Sequence, residues 1–297
     1  MYTPKELEEM QNNVNVRDIR PEDITKELVD SPNAVFFSDL IKNNRSLFDK
    51  IVADPIVKKY GFLAGIGELQ DIFYAPNAHF EIKAIQASRG TICFVFHENK
   101  KRVVKPYQLP TEKNIIEKMQ ALDLRPQQYP SIYPYITEEY IEGDLIPQID
   151  IENKTDEDLH NIGISIGKTL RKLHRNDIVY NDTSICDDLG RSNIIISNNQ
   201  EAVFIDYGVA IDISNVPNLS DEQILAHILT DPHCQLAAMM GKNIKDMIEE
   251  YKDHPPQKNF FIEKDHYFIE QGIQFLAQRL GKRVEHIRTG FWEAYTL

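Results

Sequence analysis

Thirteen positions separate Asn193 from Asp206, and the chain between them sets two short apolar runs around a polar turn: Ile194-Ile195-Ile196, Ser197-Asn198-Asn199-Gln200, then Ala202-Val203-Phe204-Ile205. The pattern reads as a hairpin with an asparagine at one end and Asp206-Tyr207-Gly208 at the other. An amide oxygen and a carboxylate held this way are hard donors of the kind magnesium prefers beside a polyphosphate. The plainer reading of Asp206 is a turn or capping residue after a buried strand, so the surrounding elements decide between the two.

Those elements come in a definite order. From Phe80 the period is two, with Phe80, Ile82 and Ala84 alternating against Glu81, Lys83 and Ile85. Turns at Ala87-Ser88-Arg89-Gly90 and His97-Glu98-Asn99-Lys100 divide the stretch into a three-stranded meander that ends in Arg102-Val103-Val104-Lys105. A helix opens at Pro110-Thr111, with Glu112 near the face of Ile115, Ile116 and Met119 and Glu117 pointing away from it. Ile136 to Leu145 reads as a strand followed by an acidic turn. The run from Asp156 to Leu173 is a strong helix, acidic at its start and apolar at Ile162, Ile166, Leu170 and Leu173. It leads into Leu173-His174-Arg175-Asn176-Asp177-Ile178-Val179-Tyr180-Asn181-Asp182.

Taken in this order, from about Phe80 to Ala210, the motifs resemble the protein-kinase-like superfamily, whose signature is a glycine-rich loop, a strand lysine, a helix glutamate, a catalytic-loop Asp and Asn, and Asp-Phe-Gly. The last is Asp206-Tyr207-Gly208 here. The resemblance implies an α+β, two-lobed fold: a small antiparallel N-lobe with one helix over 76–142 and a mainly helical C-lobe over 143–297, preceded by a helical extension over 1–75. It implies ATP and Mg2+ as cofactors, with Asn193 and Asp206 as metal ligands. Lys105 would meet the nucleotide phosphates, paired by Glu112 or, less favourably placed, Glu117.

By the same resemblance the turn at Ser88, Arg89 and Gly90 covers the phosphates, although it has one glycine where the family usually has three. The backbone carbonyl of Glu139 and the amide of Ile141 would meet the adenine edge. Asp182 is the preferred catalytic base, orienting an acceptor hydroxyl and taking its proton. Asp188 is the alternative, because the family's spacing counted back from Asn193 lands there. Tyr180 and Asn181 replace the family's histidine and arginine; the missing arginine removes the grip on a phosphorylated activation loop.

Bulk properties bound the rest. A chain of 297 residues, 42% apolar, can bury a full core. A net charge of −13 disfavours nucleic acid as a partner. Cys93, Cys186 and Cys234 are odd in number and scattered, which favours buried thiols over a disulfide frame or zinc. The start lacks the features of a secretory signal, and no apolar run approaches a membrane span, so a cytoplasmic location is expected, with signal-independent export into a host cell left open. Helical signals near Thr3-Pro4, Pro21-Glu22-Asp23 and Ser31-Pro32 carry no evident chemistry and leave partner binding as one use. Gly61, Gly65 and Gly67 read as a helix end and loop rather than a phosphate loop.

After Gly208 the next helix signal, Ser220-Asp221-Glu222-Gln223, comes about a dozen residues on, and further helices are expected around Cys234–Tyr251 and Lys264–Leu280. No Ala-Pro-Glu closes a long activation segment. The compact ending resembles the RIO kinases, lipopolysaccharide-core sugar kinases and aminoglycoside phosphotransferases. The leading expectation is a minimal serine/threonine protein kinase. A kinase for a sugar or aminoglycoside, or a nucleotide-binding pseudokinase scaffold, is the alternative.

Overall fold

The alternation that begins at the eighties becomes an antiparallel sheet. In the computed structural model, which describes residues 63, 69, 81–87, 90–106, 110–131, 135–182, 185–186, 192–216 and 218–297, β1 (Glu81–Ala87) pairs with β2 (Gly90–His97) and β2 with β3 (Lys100–Pro106). Two later strands, β4 (Gln128–Tyr129) and β5 (Tyr135–Glu139), complete the order β1-β2-β3-β5-β4. The tight turn between β2 and β3 sets Glu98 at φ 49, a left-handed conformation that reverses the chain in two residues. The expected helical extension lies outside the described residues, apart from the buried Leu63 and Leu69.

The described chain is thus α+β, with a small antiparallel sheet and a helical C-terminal region, and divides into two units. The sheet unit contains β1 to β5. The helical unit contains Gln108–Pro126 and Ile141–Leu297. The helix α1 (Pro110–Ala121), read from sequence as part of the sheet lobe, is therefore grouped with the helical unit, because Ile115 and Met119 enter that unit's core.

Within the helical unit, β6 (Gly143–Leu145) leads through two 3-10 turns to α2 (Asp156–Arg175). Thr155 caps α2: its hydroxyl accepts from the Asp158 amide at 3.1 Å, while the Asp158 carboxylate accepts from the Thr155 amide at 3.0 Å. The predicted apolar stripe of α2 is buried from Leu159 to Leu173. Short strands β7 (Ile178–Val179), β8 (Ile194–Ser197), β9 (Ala202–Phe204) and β10 (Ile211–Asp212) follow, making a β6-β8-β9 sheet and a β7-β10 pair.

Four helices were expected in part. α3 (Asp221–Thr230) begins at a Ser220 capping box. The single helix expected over Cys234–Tyr251 is two, α4 (Pro232–Met239) and α5 (Ile244–Asp253). Gly241 at φ 93 breaks the run and the Asn243 side chain caps the new start. α6 (Lys258–Leu280) starts earlier than Lys264, and α7 (Val284–Thr296) was not anticipated. α7 packs along α2 at glycines: a Cβ on Gly163 would stand 2.1 Å from the Ile287 carbonyl oxygen, and one on Gly290 2.1 Å from that of His160. Cys93 and Cys186 are buried, as expected, and Cys234 is half-buried. Among the described residues no helix is long and apolar enough to cross a membrane.

Candidate active site

The hairpin anticipated between Asn193 and Asp206 is present. β8 and β9 pair antiparallel from Ile194↔Phe204 to Ile196↔Ala202, and the Ile205 amide donates to the Asn193 carbonyl at 2.9 Å, extending the ladder by one step. Asn193 and Asp206 therefore leave the same end of the hairpin. The edge of β9 is satisfied by α2, whose Ser165 hydroxyl accepts from the Ala202 amide at 2.7 Å and whose Thr169 hydroxyl donates to the Ala202 carbonyl at 3.0 Å. Asp206 sits at φ 65, ψ 67, a left-handed conformation that a non-glycine residue holds only when its surroundings enforce it. The enforcing element is the buried turn Tyr207–Val209, against which α1 packs.

Asp182 joins this end directly: Asn193 Nδ2 donates to Asp182 Oδ2 at 2.7 Å. Three ties register the Asp182 loop on the Asp206 turn. Val179 pairs with Ile211, the Tyr180 hydroxyl donates to the Ile205 carbonyl, and Asn181 Nδ2 donates to the Val209 carbonyl at 2.9 Å. The Tyr180 ring meets Phe204 and Tyr207 edge-on at 5.1 and 4.9 Å. Burial, followed by the charges of Tyr207, Asp182, Asp206 and Asp265, holds the Tyr180 hydroxyl well above its ordinary pKa and keeps it a donor.

The anchor of the loop is a residue that sequence reasoning missed. Asp265, fully buried on α6, accepts from the amides of Tyr180 and Asn181, each at 2.8 Å, and from His174 Nε2 at 2.9 Å. His174 Nδ1 then accepts from the Tyr295 hydroxyl at 2.7 Å, and burial foremost pushes that phenol up to about 12. Asn181, at φ 67, is locked between Asp265 and Val209. A signal was available: Asp265 falls on the stripe of Ile269, Gly272, Ile273 and Leu276, so a carboxylate was being placed in a core.

Lys264, beside it, is also buried and donates to His227 Nδ1 at 3.1 Å and the Thr230 hydroxyl at 2.7 Å. Burial lowers its pKa to about 8 against the nearby acids, and burial with the Lys264 charge lowers His227 to about 3.

In the sheet unit, Lys105 is buried, and its ammonium meets Glu138 Oε1 at 3.1 Å. Glu138 was not singled out from sequence, although period two from Ile136 puts it on the face of Lys105. Glu112, the expected partner, is fully buried on α1 in the other unit. Glu139 exchanges hydrogen bonds with the Gln127 backbone at 2.8 and 3.1 Å, and Ile141, buried, opens the Ile141–Leu297 segment of the helical unit. Gly90 closes the β1–β2 ladder opposite Ala87. Ser88, Arg89 and Asp188 lie outside the described residues.

The chemistry open to the helical site follows from its donors. Asn193 donates to Asp182 through its amide nitrogen, which leaves the side-chain oxygen as its acceptor, and Asp206 stands one residue beyond the paired strand. Such oxygens fit magnesium. Among the described residues no three His, Cys, Asp or Glu side chains form a group that could hold a metal ion. No known family model matches the chain, and no curated protein does either.

Proposed function

We propose that the chain is an ATP- and magnesium-dependent phosphotransferase with a protein-kinase-like, two-lobed fold, acting on a serine or threonine hydroxyl of a protein. The observation that carries the reading is the 2.7 Å bond from Asn193 to Asp182 at the end of the hairpin that also presents Asp206. It joins the proposed base to one proposed metal ligand, and the Ile205 to Asn193 backbone bond sets the other, Asp206, one residue beyond the same hairpin end.

Asn193 fixes the rotamer of Asp182, and the Asp265 carboxylate fixes the backbone beneath it, so the base is positioned before an acceptor arrives. Asp182 orients the acceptor hydroxyl and takes its proton. Asn193 and Asp206 would hold magnesium, which when bound neutralises charge on the transferring phosphoryl group. Lys105 offers a compact cation to the α- and β-phosphates.

The test is magnesium-dependent ATP turnover by the full chain with Asp206→Ala and Lys105→Ala alongside. Each substitution is expected to cost roughly a hundredfold or more in turnover while the unfolding transition persists. Wild-type rates in both would overturn the assignment. Labelled γ-phosphate should appear on protein; label confined to a soluble metabolite would transfer the reading to a small-molecule kinase.

A further inference from the structure

We infer that Glu138 is the positioning residue for Lys105, so that the phosphate-binding lysine is oriented by a carboxylate from its own sheet; the inference rests on the phosphotransferase reading and deepens it. The register sets the geometry. Lys105 stands opposite Ile136 and Val103 opposite Glu138, which makes Lys105 and Glu138 diagonal neighbours on one face of adjacent strands. Their side chains are only 8% and 7% exposed, with Nζ 3.1 Å from Oε1.

The second carboxylate oxygen is also held. Gln128, buried on β4 and directly opposite Glu138, donates from Nε2 to Oε2 at 3.3 Å. With an oxygen committed to each side, the carboxylate cannot turn without losing one partner.

Stability does not account for this arrangement. A buried ion pair costs desolvation that its attraction barely repays, and an apolar pair of similar volume often serves the fold as well or better. What the pair provides is a cation held at a fixed point on a rigid surface. An ammonium has three donors, enough to keep one on Glu138 while others turn to the oxygens of a nucleoside triphosphate. The direction of Lys105 becomes a property of the β3–β5 pairing, set before nucleotide arrives.

Two readouts on the full chain test this. In the nucleotide-free protein, acylation of Lys105 by methyl acetyl phosphate, followed by peptide mass spectrometry, should run several-fold faster in Glu138→Gln, because loss of the carboxylate favours the neutral, nucleophilic amine. Glu81→Gln, an exposed acid of the same sheet paired to Lys83, should leave the rate unchanged. In turnover, Glu138→Gln should raise KM for ATP roughly tenfold with a smaller change in kcat. Gln128→Leu, which removes the second tie, should move both readouts in the same direction by less, and it serves if Glu138→Gln folds poorly.

Unchanged acylation and unchanged KM in a wild type that turns over ATP would overturn the inference and leave the phosphotransferase reading standing. A wild type inert toward ATP, with acylation still accelerated in Glu138→Gln, would remove the phosphotransferase reading and retain the pairing.

Discussion

Lys105 and the loop that leads to Asp182 are each held by a buried carboxylate, yet the two carboxylates act over very different spans of chain. Glu138 reaches Lys105 across adjacent strands, and the register alone brings them together. Asp265 reaches the Tyr180 amide from 85 residues away, on a helix that must first pack before the loop has an anchor. The sheet unit therefore sets its carboxylate contact with its secondary structure, whereas the helical unit sets its own only with its tertiary structure. Damage to packing should accordingly disturb the Asp182 loop while sparing the Lys105 pair.

Asp265→Ala is the strongest way to break that contrast. It leaves two buried amides and His174 Nε2 without their acceptor, and each orphaned donor carries a desolvation cost. A loss of about 3 kcal/mol or more is expected in urea unfolding followed by the single tryptophan, Trp292, in the helical unit. Acylation of Lys105 should change little. A loss below about 1 kcal/mol would mean that the loop is held chiefly by its ties to the Tyr207–Val209 turn.

Gly163→Ala sharpens the comparison away from the chemistry. Alanine favours a helix by about 1 kcal/mol over glycine, but here its methyl would stand 2.1 Å from a backbone oxygen of α7. Backbone cannot rotate aside as a side chain can, so α2 and α7 must separate, at a net cost of about 1–3 kcal/mol in thermal unfolding. Since α2 carries Ser165 and Thr169, which fix the β9 edge, turnover should fall as well. A variant as stable and active as wild type would show that this interface adjusts freely.

The same division decides what could be read from sequence. The hairpin of Asn193 and Asp206, the meander and the buried face of α2 are local patterns, legible as periods of two and 3.6. Asp265 was passed over because a carboxylate in a helix is ordinarily assigned to solvent, and only the finished core shows that it faces inward. α7 shows Val284, Ile287, Phe291 and Ala294 at helical spacing, but Gly290 reads as a weak point. Its reason is the close approach of His160, which no local pattern contains. Glu138 presents the same difficulty in smaller form: it lies 33 residues from Lys105 in the chain, and the β3–β5 register, not composition, placed it on Lys105.

The smallest expected effect concerns acid. Burial, with the nearby His174 second, lowers the pKa of His266 from 6.5 to about 4, and His227 is lowered further. The folded state thus binds fewer protons than the unfolded chain between these values, so stability is full above pH 6.5 and declines as pH falls toward 4. His227 cannot be replaced cleanly, since its Nδ1 accepts from Lys264. His266 can: its ring packs edge-on against Trp292 and Tyr295 at 5.1 and 4.5 Å, and its Nε2 is buried without a hydrogen-bond partner. His266→Phe should keep these ring contacts and narrow the drop in melting temperature between pH 7 and pH 5, followed by Trp292 fluorescence. Because His266 is only half-buried, the narrowing should be partial, with His227 accounting for the remainder. An undiminished drop would remove His266 from the acid response.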